Sequence, residues 1–177
     1  MPASAKNSTP FTDCLISACW AWLGGVIGIG LLAYIHYRWL GGQIPFLIGS
    51  FGASAVLVYG AIDSPLAQPR NLIGGHLISA LVGVSAAQLA AWLPGDINWL
   101  AAALAVATAI FLMQITGALH PPGGATALIA VVGGDAVTRL GYWYVLMPVM
   151  AGAAILLIVA LIVNNIPKNR AYPKTWW

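Results

Sequence analysis

The sequence contains very little charge. It has no glutamate, four aspartates and seven lysines or arginines among 177 residues, so 6% of the residues are charged while 60% are hydrophobic. A soluble globular domain carries about 25% charged residues. This shortage excludes an ordinary soluble domain and indicates a polytopic membrane protein in contact with a lipid bilayer. We interpret the net charge of +3 as topology information and expect no nucleic-acid partner.

Cysteine and acidic residues are scarce in a way that limits the chemistry. Cys14 and Cys19 show no metal or redox spacing, so we expect two small buried hydrophobic side chains. Every aspartate falls at the end of an apolar segment or in a loop, which argues against a cation pump: Asp13, Asp63, Asp96 and Asp135. The three histidines have no Cys, Asp or Glu at ligand spacing. We therefore expect neither an enzyme nor a metal or other cofactor.

Six hydrophobic segments follow one another along the chain. They cover residues 15–37, 44–62, 72–93, 98–114, 120–134 and 142–163. Several ends carry Trp or Tyr, including residues 92, 99 and 142–144, as is typical of membrane interfaces. The sequence predicts an all-α protein with a single transmembrane domain over residues 1–177. A short cytoplasmic N-terminus and a C-terminal tail, residues 165–177, flank the segments.

The basic residues predict the topology. If all six segments cross and the N-terminus is cytoplasmic, Lys6, Arg70 and the tail residues Lys168, Arg170 and Lys174 share the cytoplasmic side. If the second and fifth segments only enter and return, Arg70 moves to the other side. The positive-inside rule favours six crossings with both termini in the cytoplasm. We expect the inner membrane of a bacterial cell.

An internal repeat underlies the segments. Residues 52–57 (Gly-Ala-Ser-Ala-Val-Leu) match residues 124–129 (Gly-Ala-Thr-Ala-Leu-Ile) at an offset of 72. Each copy lies in the middle segment of a three-segment half, about 15–93 and 98–164. Because three is an odd number of crossings, the halves must have opposite orientations. This 3+3 inverted repeat is typical of many transporters and channels.

A Pro-Pro-Gly-Gly break interrupts the fifth segment after His120. Irregular backbone cannot face lipid, so the break must be buried in protein or line an aqueous cavity. We expect regular helix to begin only around Gly123, leaving about 12 residues, or ~18 Å. By the repeat, a second short helix begins around Phe51. Both helices are predicted to start near the midplane of a ~30 Å hydrocarbon core.

The two opposed helix starts predict an anion site. Each N-terminus carries unsatisfied N–H groups and a partial positive charge, which suit a small anion such as nitrite, formate, chloride or nitrate. The predicted substrate-binding residues supply close backbone approach or polar donors: His120, Gly123, Gly124, Thr126, Ser50, Gly52 and Ser54. His120 either donates to the anion and holds a proton, or is a neutral histidine that fixes the broken backbone.

Five further residues are secondary candidates for the pathway, each with a structural alternative. They are Arg70, Asn71, His76, Gln114 and Thr116. The residues alone favour a positive-inside anchor for Arg70 and a bond to a neighbouring helix for His76. Gln114 and Thr116 line a vestibule or cap the last carbonyls of the fourth segment.

Several stretches together resemble the HPP family of integral membrane proteins, which is named for a His-Pro-Pro triplet. They are residues 49–54, 64–71, 74–76 and 120–126, followed by 164–165, 170–173 and Trp176. The resemblance implies a transporter-like protein, with nitrite transport in plastid and cyanobacterial relatives, and it raises the rank of Arg70, Asn71 and His76. The family is usually described with four spans. Some relatives add a nucleotide-binding module, and we expect no such regulation here.

The leading hypothesis is transmembrane transport of a small monovalent anion, nitrite first, through the two helix starts. The alternative is a non-transporting membrane scaffold or sensor subunit, in which the glycines serve only close helix packing. So short a chain is also compatible with a homo-oligomer.

Overall fold

The computed structural model describes residues 11–177, and helices are the only regular elements in that range. They are α1 (Phe11–Trp39), α2 (Gly49–Gly60), α3 (Pro69–Trp92), α4 (Asn98–Ile115), α5 (Pro121–Val132), α6 (Asp135–Thr138) and α7 (Val145–Val163). Of these, α1, α3, α4 and α7 are long and apolar enough to cross a membrane. The expectation of an all-helical membrane protein is confirmed. The inverted repeat stays a prediction, and Lys6 lies outside the described residues.

The two short helices begin two residues earlier than the sequence predicted. Helix α5 starts at Pro121 rather than at Gly123, directly after an extended His120 (φ −138°, ψ 103°). The prediction was wrong because a first-turn N–H has no partner within the helix, so proline loses nothing there. Helix α2 likewise starts at Gly49, after an extended Ile48 (φ −100°, ψ 147°). Each bound of α5 lies 72 positions after the corresponding bound of α2.

The helices form two packed groups that meet where α2 packs on α5 and where α7 packs on α3. Helices α3, α4 and α5 form one group, and α1, α2 and α7 form the other. Small residues allow the close contacts: a Cβ added to Gly83 of α3 would lie 2.6 Å from the carbonyl oxygen of Ala127 in α5. Helix α2 packs on α5 between the groups. The two short helices therefore lie side by side in the interior.

The exposed surface is apolar, as expected for a protein surrounded by lipid. Helix α1 fully buries only Gly24, Gly28 and Leu32. Trp20, Ala21, Ile29 and Ile35 are partly buried against the core, and most of its other large apolar side chains are exposed. Both cysteines lie on this exposed surface, so the expectation that Cys14 and Cys19 are buried was wrong. A membrane helix is hydrophobic on its outer face as well, so hydrophobic character alone does not predict burial there.

Two glycines of α1 hold the ring of Tyr59. A Cβ added to Gly24 would lie 2.7 Å from Tyr59 Cδ1, and one added to Gly28 would collide with the Tyr59 hydroxyl group. That hydroxyl donates to the Leu156 carbonyl oxygen at 3.2 Å, so the ring is fixed at both ends. Helix α1 therefore packs on α2 through one tyrosine.

We expect Gly28→Ala to destabilise the protein by about 1–3 kcal/mol, the usual cost of overpacking. The matched control is Gly30→Ala, because Gly30 has open space where a Cβ would lie. The control should be neutral or slightly stabilising, since alanine favours helix by up to ~1 kcal/mol over glycine. Thermal unfolding in detergent measures the difference. Equal midpoints for the two variants would contradict this packing.

Candidate functional site

Five buried polar side chains meet where α2 and α5 cross. The buried polar cluster consists of Ser50 and Ser54 from α2, His76 from α3, and His120 and Thr126 from the break and α5; each is at most 1% exposed. Ser50 bonds to Thr126 at 2.9 Å, and Ser54 bonds to His120 at 2.9 Å. The first serine of α2, Ser50, thus pairs with the later residue, Thr126, and the second serine, Ser54, pairs with the earlier residue, His120. The two N-terminal turns pass each other in opposite directions.

The local sequence explains how the cluster assembles. Ser50 and Ser54 are four residues apart, so they lie on one face of α2. A glycine at position 75 lets the break approach α3, because a Cβ there would collide with Cβ of His120 and lie 3.0 Å from the Ala118 carbonyl oxygen. His76, the next residue of α3, therefore reaches the cluster.

The cluster is connected by short hydrogen bonds. Ser54 Oγ lies 2.8 Å from His76 Nε2 and 2.9 Å from His120 Nε2. His76 Nδ1 lies 2.8 Å from Thr126 Oγ1, and His120 Nδ1 lies 2.8 Å from the carbonyl oxygen of Leu66. The two imidazole rings meet edge to face with centroids 5.1 Å apart. Every side-chain nitrogen and oxygen of the cluster has a partner within the protein.

The cluster is closed and carries no fixed charge. Pockets of about 630 Å³ and 800 Å³ are lined by other residues. The ion pairs among the described residues, Asp135 with Arg139 and Asp63 with Lys174, involve none of its members. Within residues 11–177, no three His, Cys, Asp or Glu side chains form a group suited to a metal ion. The cluster therefore offers neutral hydroxyl and imidazole groups, which donate or accept protons.

Four of the seven predicted substrate-binding residues belong to the cluster, and the three glycines do not. Gly123 packs on α3, since a Cβ there would lie 2.7 Å from Ser79 Oγ. Gly52 is exposed, and a Cβ on Gly124 would meet only Val106, at 3.9 Å. We expected these glycines to let a ligand approach. The structure instead gives Gly123 a packing role and leaves open space at Gly52 and Gly124.

Among the secondary candidates, His76 joins the cluster and the others hold the break or lie apart. The Arg70 guanidinium donates to the carbonyl oxygen of Thr116, and Asn71 Nδ2 donates to that of Leu119 at 2.7 Å. The Thr116 hydroxyl donates to the last turn of α4 at 2.7 Å, which is the capping alternative. Gln114 is exposed. These contacts fix the turn before α5.

Tyr144 was predicted at a membrane interface with its neighbours, and this prediction was wrong. It is fully buried, and its hydroxyl donates to the backbone carbonyl oxygen of Thr126 at 3.1 Å. Tyr142 and Trp143 beside it are exposed, as expected for interfacial residues. Predicting that Tyr144 is buried while Tyr142 and Trp143 are exposed would require the orientation of the turn before α7, which the sequence pattern does not show.

The C-terminal tail is a second feature that the sequence missed. The Arg170 guanidinium donates to the Tyr59 carbonyl oxygen at 2.7 Å, to the Ser17 carbonyl oxygen at 2.9 Å and to Asn164 Oδ1 at 2.8 Å. Asn164 Nδ2 donates to the Val58 carbonyl oxygen at 2.8 Å. A cation and an amide thus satisfy the final carbonyls of α2. The sequence signal for this contact was the pair Asn164-Asn165, two polar residues directly after the last apolar segment.

The tail also packs on the loop between α2 and α3. The Tyr172 hydroxyl donates to the Ala67 carbonyl oxygen at 2.7 Å, and Gln68 Oε1 accepts from the Lys174 backbone N–H at 2.8 Å. Burial raises the pKa of Tyr172, so its hydroxyl remains a donor at neutral pH. The tail therefore belongs to the folded domain.

Comparisons with known proteins identify the family. The HPP transmembrane-region model matches residues 11–173, including the His120-Pro121-Pro122 triplet at the start of α5. A transmembrane protein of Dictyostelium discoideum is 48% identical over 175 residues, covering 98% of this chain and 61% of that protein. A second one is 49% identical over 159 residues, covering 89% of this chain and 50% of that protein.

This chain spans between half and two thirds of those relatives, whose names describe them only as transmembrane proteins. No solved structure matches the chain. The family model covers nearly all of the described residues, including the His-Pro-Pro triplet. The chain belongs to the HPP family of transmembrane proteins.

Proposed function

We propose that this protein transports a small monovalent anion, nitrite first, across a membrane. One observation supports the proposal: the N-terminal turns of two short helices cross in the interior and bring together Ser50, Ser54, His120 and Thr126. Half-length helices that start inside a membrane form substrate sites in many transporters. These side chains give each other hydrogen bonds that they can exchange for those of an anion.

The chemistry of the cluster favours an anion over a cation. The helix macrodipole places partial positive charge at both helix starts, which attracts negative ligands. Free N–H groups come mainly from α2, because α5 begins with Pro121 and Pro122, which carry none. No carboxylate lies among the five side chains of the cluster, so a cation would have no counter-charge there. The cluster is closed, so binding requires α2 and α5 to separate. A small planar anion needs the least separation.

We also propose the inner membrane of a bacterial cell with both termini cytoplasmic. Three basic residues lie at one end of the bundle, where the tail contacts Ser17 near the start of α1 and the loop before α3: Arg70, Arg170 and Lys174. This grouping supports the orientation that the positive-inside rule predicts. The 3+3 inverted repeat belongs to the same proposal, supported by the matching bounds of α2 and α5.

Nitrite uptake into proteoliposomes tests the transport proposal. We expect saturable uptake with the wild-type protein and its loss with His120→Ala and Ser50→Ala. Ser50 is at the end of the cluster, so its removal leaves the fewest unpaired groups. The matched control is Ser85→Ala, since Ser85 is an exposed serine of α3 outside the cluster. Gel filtration and thermal unfolding verify that each variant is folded.

Two results would contradict the proposal at different levels. Unchanged uptake in folded His120→Ala and Ser50→Ala proteins would remove the cluster from the pathway. Wild-type uptake no faster than in empty liposomes, for nitrite, formate, nitrate and chloride alike, would remove anion transport itself.

The alternative function, a non-transporting scaffold or sensor subunit, is favoured by one observation. Every side-chain nitrogen and oxygen of the cluster is paired within the protein, so the fold needs no ligand there. On this alternative, cluster variants change stability but no flux. Absence of anion binding by isothermal titration, together with absence of flux, would select it.

We propose no enzymatic activity, although the geometry adds one point that the sequence did not show. Ser54 Oγ lies within 2.9 Å of two imidazole nitrogens, a distance that suits a nucleophile and its base. Ser54 is fully buried, and no carboxylate orients either ring. Failure of a fluorophosphonate probe to label Ser54 is the expected result, and labelling would contradict this expectation.

A further inference from the structure

We propose that the buried polar cluster binds one proton together with one monovalent anion, with the proton on the His76 and His120 pair and the anion on the Ser50 hydroxyl. The inference rests on the proposed function and deepens it, because it gives the anion a position and a reason for its single charge. It follows from the number of protons that the neutral side chains can place in their mutual contacts.

The Thr126 hydroxyl fixes the first proton position. It donates to Ser50 Oγ at 2.9 Å, and a second acceptor, the Pro122 carbonyl oxygen, lies 3.4 Å away. A hydroxyl has a single proton, so Thr126 has none left for His76 Nδ1, which lies 2.8 Å from Thr126 Oγ1. His76 Nδ1 therefore carries a proton and donates it to Thr126.

The Leu66 carbonyl oxygen fixes a second proton position. A carbonyl oxygen only accepts, so His120 Nδ1, which lies 2.8 Å from it, carries a proton as well. A neutral imidazole has one N–H, which leaves Nε2 of each ring as an acceptor. The two histidines therefore have the same tautomer when both are neutral.

Ser54 lies between the two Nε2 atoms with one proton for two acceptors. Its Oγ is 2.8 Å from His76 Nε2 and 2.9 Å from His120 Nε2. Whichever ring accepts the Ser54 proton, the other contact joins two lone pairs with no proton between them. One added proton on that Nε2 completes the contact and makes the ring an imidazolium. A second added proton would place two positive charges on rings whose centroids are 5.1 Å apart.

The interior supplies no negative charge for this imidazolium. Phe51 of α2 and Met113 of α4 pack beside the two histidines, and the hydroxyl of Tyr144, before α7, is bound to a backbone carbonyl oxygen. The charged groups of the adjoining loops are bound elsewhere: Asp63 to Lys174, and Arg70 to the Thr116 carbonyl oxygen. A buried charge without a partner is costly, so the extra proton binds only when an anion binds with it.

The Ser50 hydroxyl is the donor that remains for the anion. Ser50 Oγ accepts from Thr126, and within residues 11–177 it donates to no other group. Gly49, directly before it, is exposed and has open space where a Cβ would lie, so a small anion can approach Ser50 from this side. Ser50 and Ser54 are neighbours on one face of α2, about 6 Å apart. An anion on Ser50 is therefore close enough to stabilise the charge beside Ser54.

The single missing proton also accounts for selectivity by charge. Nitrite, formate, nitrate or chloride bound together with one proton leaves the interior neutral. A divalent anion such as sulfate would leave one negative charge unbalanced there, at a high cost in desolvation. We therefore expect the site to exclude divalent anions through charge, independently of their size.

The histidine tautomers are a readout that does not depend on transport. ¹⁵N NMR of histidine-labelled protein in lipid nanodiscs reports which ring nitrogens carry protons. His36→Gln removes the third histidine, which bonds to the Ile44 carbonyl oxygen outside the cluster. Without an anion we expect two neutral Nδ1–H rings, and with saturating nitrite one added proton on the pair. Rings of opposite tautomer, or a charged ring without any anion, would overturn the inference.

Isothermal titration of nitrite in buffers of different ionisation enthalpy counts the protons that bind with the anion. We expect one proton for each nitrite. Because the anion-bound protein holds one more proton, the apparent Kd for nitrite should rise about tenfold for each unit of pH above neutral. Sulfate in excess should not displace nitrite, and displacement would overturn the charge balance.

A pair of Ser54 variants tests the position of the proton. Ser54→Ala should bind nitrite more weakly and without proton uptake, because an added Nε2 proton then has no acceptor, whereas Ser54→Thr retains the hydroxyl and the uptake. Proton uptake by a folded Ser54→Ala protein would place the proton elsewhere and overturn the inference. Nitrite binding without proton uptake by the wild-type protein would also overturn it and leave anion transport intact. If none of the four anions binds, the proposed function fails and this inference fails with it.

Discussion

Thr126→Val should abolish nitrite uptake and lower the stability of the protein by about 1–3 kcal/mol. Valine has nearly the same shape as threonine, so no cavity forms. The change removes the hydroxyl that lies 2.8 Å from His76 Nδ1 and 2.9 Å from Ser50 Oγ. It leaves a buried imidazole nitrogen unpaired and separates Ser50 from the rest of the cluster.

Thr126→Ser is the matched control because it retains the hydroxyl and removes only a methyl group. We expect it to lose about 1 kcal/mol of stability from the missing buried carbon and to keep nitrite uptake. Chemical denaturation in detergent and nitrite uptake into proteoliposomes give the two readouts. If the valine variant is folded and transports as the serine variant does, the hydroxyl has no part in the pathway.

Much of the cluster could be predicted from the sequence because it depends on local patterns. The match between residues 52–57 and 124–129 selected Ser54 and Thr126, and the Pro-Pro-Gly-Gly break selected His120. Both are signals within a few residues of the chain. The helix starts were displaced by two residues because the prediction treated both prolines as helix breakers, whereas the first turn accepts them.

His76 shows where residue patterns no longer suffice. It lies within a long apolar helix, and its role depends on Gly75, whose missing side chain lets the break approach. Tyr144 is similar, since it is buried while its neighbours are exposed. A membrane helix is apolar on all faces, so hydrophobic periodicity does not distinguish the face toward lipid from the face toward protein. The resemblance to the HPP family, rather than the pattern, raised the rank of His76.

Arg170→Gln should lower the stability of the protein by about 3 kcal/mol, because hydrogen bonds to a charged group contribute ~1.5–3 kcal/mol. The guanidinium joins the tail to α1 through Ser17, to the end of α2 through Tyr59, and to the end of α7 through Asn164. Burial lowers the pKa of Arg170 and the Asp63 carboxylate opposes that shift, so the group stays charged at neutral pH.

The matched control for this prediction is Lys168→Gln, which removes the same charge from an exposed residue two positions earlier in the tail. We expect it to change the free energy of unfolding by less than about 0.5 kcal/mol, as is usual for surface substitutions. Arg170→Lys should fall between the two, because an ammonium group restores the charge without the planar fork that reaches Ser17 and Tyr59 together. Since Tyr59 lies in the last turn of α2, the loss of Arg170 frees the helix that carries Ser50 and Ser54. Nitrite uptake should therefore fall with Arg170→Gln and not with Lys168→Gln, and equal uptake by folded protein would show that the tail does not position α2.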